Sequence, residues 1–180
     1  MLTIVVPASE SFDPVTETFF STKEQVLVLE HSLISISKWE SKWGKAFLNN
    51  RDQKTQEESR DYIKCMTITQ NVDPMVYYAL TDENYQEILD YIQAPMTATW
   101  FSDNHQPPSR EIITAEVIYY YMVALQIPFE CERWHLNRLM TLIRVCSEKN
   151  KPPKNMSKRT IMSKNQALNA LRRKKLGTSG

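Results

Sequence analysis

Glu24-Gln25-Val26-Leu27-Val28-Leu29-Glu30-His31-Ser32-Leu33-Ile34-Ser35-Ile36-Ser37-Lys38-Trp39-Glu40-Ser41-Lys42-Trp43-Gly44 changes its periodicity part-way through. Up to Leu29 it is a short run rich in β-branched and aliphatic residues, which predicts a strand. From Leu29 onward the apolar positions Leu29, Leu33, Ile36, Trp39 and Trp43 recur every three or four residues, as they do on one face of a helix. Gly44 is the expected stop, because glycine enters the left-handed conformation that closes a helix without a steric penalty.

Read outward from that switch, strands are few and helices many. Leu2 to Val6 is a second β-branched run that can pair with the first as a small antiparallel sheet. Phe12-Asp13-Pro14, read as a turn, and the paired aromatics Phe19 and Phe20 lie between them, so the connection is longer than a tight hairpin. Towards the C-terminus, polar residues 49–56 predict a loop. Thr55 with Glu57 and Glu58 then predicts a capped helix carrying Tyr62, Ile63 and Met66. Asp73-Pro74 opens a short helix over Met75 to Leu80, with the acid as cap and Pro in the first turn. Thr81-Asp82-Glu83 starts a longer one with Tyr85, Ile88, Leu89 and Ile92 on one face, ended by Pro95. Thr97 to Pro108 follows as a Pro-containing segment that presents Trp100 and Phe101. Ser109-Arg110-Glu111 begins the most apolar helix, with Ile112, Ile113, Val117, Tyr120, Tyr121 and Ala124, expected to be central. After Pro128, Glu130 to Glu148 is expected as the last helix of the body, with Trp134, Leu136, Leu139, Met140, Leu142, Ile143 and Cys146 inward.

The charge divides the chain in two. Of its 22 Lys and Arg, ten fall in residues 149–180, which hold no Asp or Glu; the 12 in residues 1–148 face all 21 acidic residues. Lys151-Pro152-Pro153-Lys154 reads as a stiff linker. Beyond it Ser163 is a candidate cap for a helix to Leu176, with Ala167, Leu168 and Leu171 on one stripe, basic residues crowding the last turn and Gly177 after it. The expectation is a mainly α protein. Residues 1–148 form a compact helical body with a small N-terminal antiparallel β element, and residues 149–180 form a basic linker and C-terminal helix.

Composition narrows the function classes. Only Gly44, Gly177 and Gly180 occur, so no loop has the glycine spacing of a phosphate cradle or a dinucleotide fold. No apolar run approaches the roughly 20 residues that span a bilayer, and Leu2 to Pro7 lacks the basic flank and length of a signal peptide. A soluble intracellular protein is expected. Cys65, Cys131 and Cys146 are odd in number and widely spaced, which favours reduced, mostly buried thiols over a disulfide framework. Cys131 and His135, one helical turn apart, would need a further ligand from elsewhere to hold a metal; His31 and His105 sit on other segments. Cys65 and Cys146 lie on apolar helical faces, where thiols are inert. Glu57 with Glu58, and Glu111 with Glu116, are spaced like solvated or capping charges. No catalytic residue, cofactor or metal is expected.

Two features remain as candidate binding surfaces. Trp39 and Trp43 share a helix face beside Lys38 and Lys42, which suits an aromatic platform for single-stranded nucleic acid; at helical spacing, such a pair is more often core or a partner-binding hot spot. The basic tail, ending in Arg172, Arg173, Lys174 and Lys175, has the electrostatic footprint of polyanion binding. Its Leu168 and Leu171 stripe suits a protein partner instead, for which an acidic body offers a surface.

The run from Leu29 to Trp43 resembles a stretch common in small proteins of tailed bacteriophages. Asp61-Tyr62-Ile63-Lys64-Cys65-Met66-Thr67, Ala94-Pro95-Met96-Thr97-Ala98-Thr99, Ile127-Pro128-Phe129-Glu130-Cys131 with Trp134-His135-Leu136-Asn137-Arg138, and Leu171-Arg172-Arg173-Lys174-Lys175-Leu176-Gly177 extend the likeness over most of the chain. On these segments the sequence is similar to the tail assembly chaperone family. The resemblance implies a non-catalytic protein of the host cytoplasm that keeps the phage tape measure protein soluble while tail tube subunits assemble around it. It also implies a longer form made by programmed ribosomal frameshift, and Arg173-Lys174-Lys175 can be encoded with a slippery heptamer. Trp39, Trp43, Trp100 and Phe101 are the expected partner-binding surface, and self-association is a further expectation. The rival expectations are a permanent virion component, such as a tail or connector protein, and a nucleic-acid-binding protein acting through the basic tail.

Overall fold

The computed structural model describes residues 1–13, 18–49, 53–101, 112–151 and 158–177. The chain forms two compact units, Met1–Glu148 and Lys149–Gly180. The fold is mainly α-helical, with an antiparallel β element at the N-terminus.

Four short strands make that element: β1 (Leu2–Val6), β2 (Ser9–Asp13), β3 (Thr18–Thr22) and β4 (Gln25–Leu29). β1 pairs with β4 from Leu2 opposite Leu29 to Val6 opposite Gln25, and β2 pairs with β3 from Ser9 opposite Thr22 to Asp13 opposite Thr18. Paired residue numbers sum to 31 in both, so the two pairs share one register and form successive parts of a single long ribbon. Pro7 interrupts it, having no N–H to give to a ladder. The expected pairing of the outer strands is present. The expected Phe12-Asp13-Pro14 turn is not, since Phe12 and Asp13 continue β2 and only Pro14 lies outside the described residues; continuous pairing overrides the local turn signal.

In β1 and β4 the alternate residues Ile4, Val6, Leu27 and Leu29 are buried while Val5 and Val26 are exposed, the period of two that places one face on a core. The far edge of β4 is sealed by the chain leaving the second helix. Glu30 N–H donates to the Met66 carbonyl at 2.9 Å, and Ile68 N–H to the Val28 carbonyl at 2.8 Å. Val28 N–H donates to Thr69 Oγ1 at 2.8 Å.

Among the described residues six helices follow: α1 (Leu33–Trp43), α2 (Gln56–Met66), α3 (Asp82–Gln93), α4 (Ala115–Ala124), α5 (Leu136–Asn150) and α6 (Lys158–Leu176), with 3-10 segments at Pro74–Tyr78 and Phe129–Arg133. Local caps set the first three. Ser32 with Ser35, Thr55 with Glu58 and Thr81 with Asn84 each form a reciprocal capping box. Gly44 closes α1 at φ 62°, its N–H on the Glu40 carbonyl at 2.8 Å. Asp73 Oδ1 accepts from Met75 N–H at 2.9 Å ahead of Pro74.

The centre of the body is α1, which packs against α2, α4 and the Phe129–Arg133 segment. The sequence had pointed to α4. That helix buries only Ala115, Ile118 and Met122, and exposes Tyr120 and Val123. It also starts later than expected, since Ile112 to Thr114 are not helical; Ser109, Arg110 and Glu111 lie outside the described residues. The expected helix over Glu130 to Glu148 is likewise divided. His135 bridges to Ser32, and Leu136 N–H donates to the His31 carbonyl at 2.7 Å, so a long-range pairing separates the 3-10 segment from α5.

In the second unit α6 begins at Lys158, ahead of the Ser163 cap expected from sequence, and Gly177 follows it at φ 67°. Residues 152–157, which include the Pro-Pro pair, are outside the described set. No helix among the described residues is long and apolar enough to cross a membrane.

Candidate functional site

The amphipathic faces of α2 and α3 do not close on one another completely. Between them lies a groove of about 490 Å³, floored by Phe47, Tyr62, Ile63, Ile88 and Ile92, with Leu48, Leu89 and Leu136 along its sides. Among the described residues its polar lining is Lys54, Ser59, Gln93, Asn137 and the His31 ring, besides the tyrosines Tyr62 and Tyr85. Lys54, Ser59 and Asn137 are tied down, Ser59 through its Oγ, which donates to the Thr55 carbonyl at 2.9 Å. Lys54 Nζ donates to the Phe47 carbonyl at 2.8 Å and lies 4.3 Å from the centre of the Phe47 ring. Asn137 Nδ2 donates to the carbonyls of Ile92 at 3.0 Å and Ala94 at 2.8 Å, fixing the end of α3 to the start of α5.

Beneath the groove runs a row of rings. Phe47 stacks on Tyr62 with centroids 3.9 Å apart, His31 meets Tyr62 edge-on and His135 at 5.1 Å, and His135 meets Tyr91 edge-on at 4.9 Å. Hydrogen bonds lock the row. The Tyr62 hydroxyl is bonded to His31 Nδ1, and Tyr91 Oη donates to Glu30 Oε1 at 2.6 Å. His135 Nε2–H donates to the Tyr91 carbonyl at 2.9 Å, and its Nδ1 accepts from Asn137 N–H at 3.3 Å.

Burial decides the protonation of these groups. His31, 2% exposed, is held down to about 4, first by desolvation and then by the neighbouring His135 ring. Desolvation lowers His135 too, against the opposing effect of its bond to Tyr91. Tyr62 is pushed above the usual tyrosine range by burial, as is Tyr91, where Glu30 adds to the shift. Neutral imidazoles and neutral phenols therefore make the floor an uncharged surface, suited to apolar side chains.

His135 has both ring nitrogens engaged, and no group of three metal-binding side chains occurs among the described residues. All three cysteines are free thiols, with Cys131 buried and burial raising both Cys65 and Cys131 above the ordinary thiol range. His105 lies outside the described residues.

No protein-family model, curated protein or solved structure matches the chain. The site is therefore judged on its geometry.

The candidate binding residues are scattered. Trp39 is 1% exposed, with its ring edge-on to Phe47 and Nε1–H donating to the Glu58 carbonyl at 2.8 Å. It is a core residue, which corrects its expected place in a partner surface and removes the Trp39 and Trp43 platform for single-stranded nucleic acid. Trp43 is half-buried, its Nε1–H on Asp61 Oδ2 at 2.9 Å, and Lys42 pairs with the same carboxylate. Trp100 is 83% exposed, whereas Phe101 lies under the Arg144 guanidinium at 4.1 Å. Leu168 and Leu171 are exposed on α6, as are Arg172, Arg173, Lys174 and Lys175.

The groove itself was missed by sequence reasoning. Tyr62, Ile63, Ile88 and Ile92 were legible as inward stripes, but no local signal says that Phe47, Leu48 and Leu136 converge on them.

Proposed function

We propose that the chain is a non-catalytic phage tail assembly chaperone, in which the groove between α2 and α3 holds an apolar helical segment of the tape measure protein until tail tube subunits displace it. The groove carries this reading. It offers about 490 Å³ of mainly apolar space over an uncharged floor, and an amphipathic helix laid in such a groove buries side chains at i, i+3, i+4 and i+7. Binding of this kind is driven by apolar burial and reversed by a competing apolar surface. The resemblance over Leu29 to Trp43 and the later segments supplies the partner, and the host cytoplasm is where such a protein would act.

The test is co-expression of the full chain with the tape measure protein encoded nearby, measuring the soluble fraction of the latter. Wild type is expected to keep it soluble, and Leu89→Asp, which places a charge on the groove wall, to lose that effect. A tape measure protein equally insoluble with and without the chain would overturn the reading.

The exposed basic residues of α6 favour a second reading, polyanion binding. Its mark is an affinity for single-stranded nucleic acid that falls steeply with salt and disappears when Arg172, Arg173, Lys174 and Lys175 are neutralised.

A further inference from the structure

The outer surface of α2 borders a second, smaller depression, closed on its other side by the 3-10 segment Pro74–Tyr78. It holds about 170 Å³ and shares no lining residue with the groove. Three cations meet there, Lys42 from α1 and Arg60 and Lys64 from α2, in a body whose 12 Lys and Arg face 21 acidic residues. Burial raises the nearby Cys65 thiol, while Lys38, Lys42 and Lys64 each pull it the other way, so these ammonium groups gather round one stretch of surface.

The acids of the depression, Asp61 and Glu57, are answered by Lys42. Asp61 has both oxygens in use, Oδ1 on Lys42 Nζ and Oδ2 on Trp43 Nε1–H. Lys42 is held above the usual lysine range first by that bond to Asp61, with a lesser pull from the exposed Glu57. The charges of Arg60 and Lys64 are left over: among the described residues no carboxylate pairs with either.

Arg60 has the form of an anion receptor. Its guanidinium lies 4.3 Å from the centre of the Tyr78 ring, which fixes its plane. Its Nε–H is buried without an acceptor, the one such side-chain atom among the described residues. Native folds leave few buried donors unpaired. Lys64, one helical turn further on, stands on the same face.

Size and charge choose the ligand. The depression is smaller than the roughly 300 Å³ at which pockets for drug-sized molecules begin, so it suits a compact group. A guanidinium offers parallel N–H donors to the oxygens of a carboxylate or a phosphate. Two uncompensated cations favour the phosphate, whose charge is nearly double.

We infer that the depression between α2 and Pro74–Tyr78 is a site for a phosphate dianion, either inorganic phosphate or the head of a phosphate monoester. Arg60 grips it through the guanidinium, Lys64 adds a second positive charge, and Glu57 at the rim opposes it and so limits the affinity. The site stands apart from the groove and holds whether or not the chain is a chaperone.

Isothermal calorimetry of the full chain tests it, with inorganic phosphate and separately with glycerol phosphate, slightly above neutral pH and at constant ionic strength. One saturable site is expected. Arg60→Met should weaken it about tenfold or more, and Arg60→Lys, which keeps the charge and loses the fork, by less. Lys64→Met should weaken it about threefold, and Glu57→Gln should tighten it by a similar factor. Both side chains are exposed, so neither change threatens the fold, and a structural role alone would not move affinity in opposite directions. Tighter binding of glycerol phosphate would make the ligand a phosphate ester, and tighter binding of phosphate the free ion. The inference is overturned by the lack of any binding at millimolar phosphate, or by acetate binding as tightly as phosphate. Binding that survives Arg60→Met, and is lost instead when Arg172, Arg173, Lys174 and Lys175 are neutralised, would overturn it too.

Discussion

The carboxylate of Glu40 on α1 accepts the backbone N–H of Ala115 at 2.7 Å, so the first turn of α4 is capped by a residue 75 positions earlier in the chain. Thr114, the residue at the cap position, makes no side-chain capping bond of its own. The other oxygen of Glu40 accepts from Phe47 N–H, also at 2.7 Å, which anchors the segment that floors the groove. One buried carboxylate thus joins the central helix, the groove loop and α4.

Replacing Glu40 by Ala leaves two buried N–H groups without an acceptor. Each such loss costs about 1–3 kcal/mol, so Glu40→Ala is expected to lower stability by about 2–6 kcal/mol and Glu40→Gln, which keeps one acceptor oxygen, by less. Urea denaturation of the two variants beside wild type checks the order.

Trp39 and Trp100 should separate by stability and by fluorescence. Trp39→Ala removes a fully buried ring and its bond to Glu58, an expected loss of about 3–5 kcal/mol. Trp100→Ala should change stability by under about 0.5 kcal/mol. Iodide quenching of the wild type should be dominated by Trp100, and Trp100→Phe should both reduce quenching and shift the emission to the blue.

Acid should weaken the fold through the buried His31 and His135. His31 binds its proton at about 4 when folded against 6.5 as an ordinary histidine, and His135 is shifted the same way. Between those values the unfolded chain holds more protons than the folded one. Stability is therefore complete above pH 6.5 and falls as the pH drops towards 4, by about 3 kcal/mol from His31 alone. Urea midpoints measured from pH 7 to pH 4 should show this slope, and His31→Gln should flatten it although it is less stable at pH 7.

Legibility in the sequence followed the range of the interaction. Thr55, Thr81, Asp73-Pro74 and Gly44 act within four residues of themselves, and the starts of α2, α3 and the short 3-10 segment and the end of α1 were readable from them. The start of α4 was not, because Glu40 reaches it from another helix. The break before α5 was not, because Leu136 is held by the His31 carbonyl across the core. Of the groove, the stripes of α2 and α3 were plain in the spacing of Tyr62, Ile63, Ile88, Leu89 and Ile92. Their failure to close on each other is a property of packing, which no local pattern encodes. Trp39 was read both as core and as partner surface for a related reason: its burial depends on Phe47 and Glu58, whose approach only the fold specifies.

Ile88 and Leu89, adjacent on α3, should give opposite outcomes. Ile88 is buried and Leu89 is 48% exposed on the groove wall. Ile88→Ala removes packed methylenes and is expected to cost about 2–5 kcal/mol. Leu89→Asp should leave the thermal midpoint within a few degrees of wild type, since half its surface already meets water and α3 carries acids without strain. It should nonetheless abolish binding in the groove, because a carboxylate there cannot be buried unpaired. A Leu89→Asp variant that unfolds along with Ile88→Ala would mean that the groove is part of the core rather than a surface kept for a partner, and circular dichroism melts of the two variants decide between these.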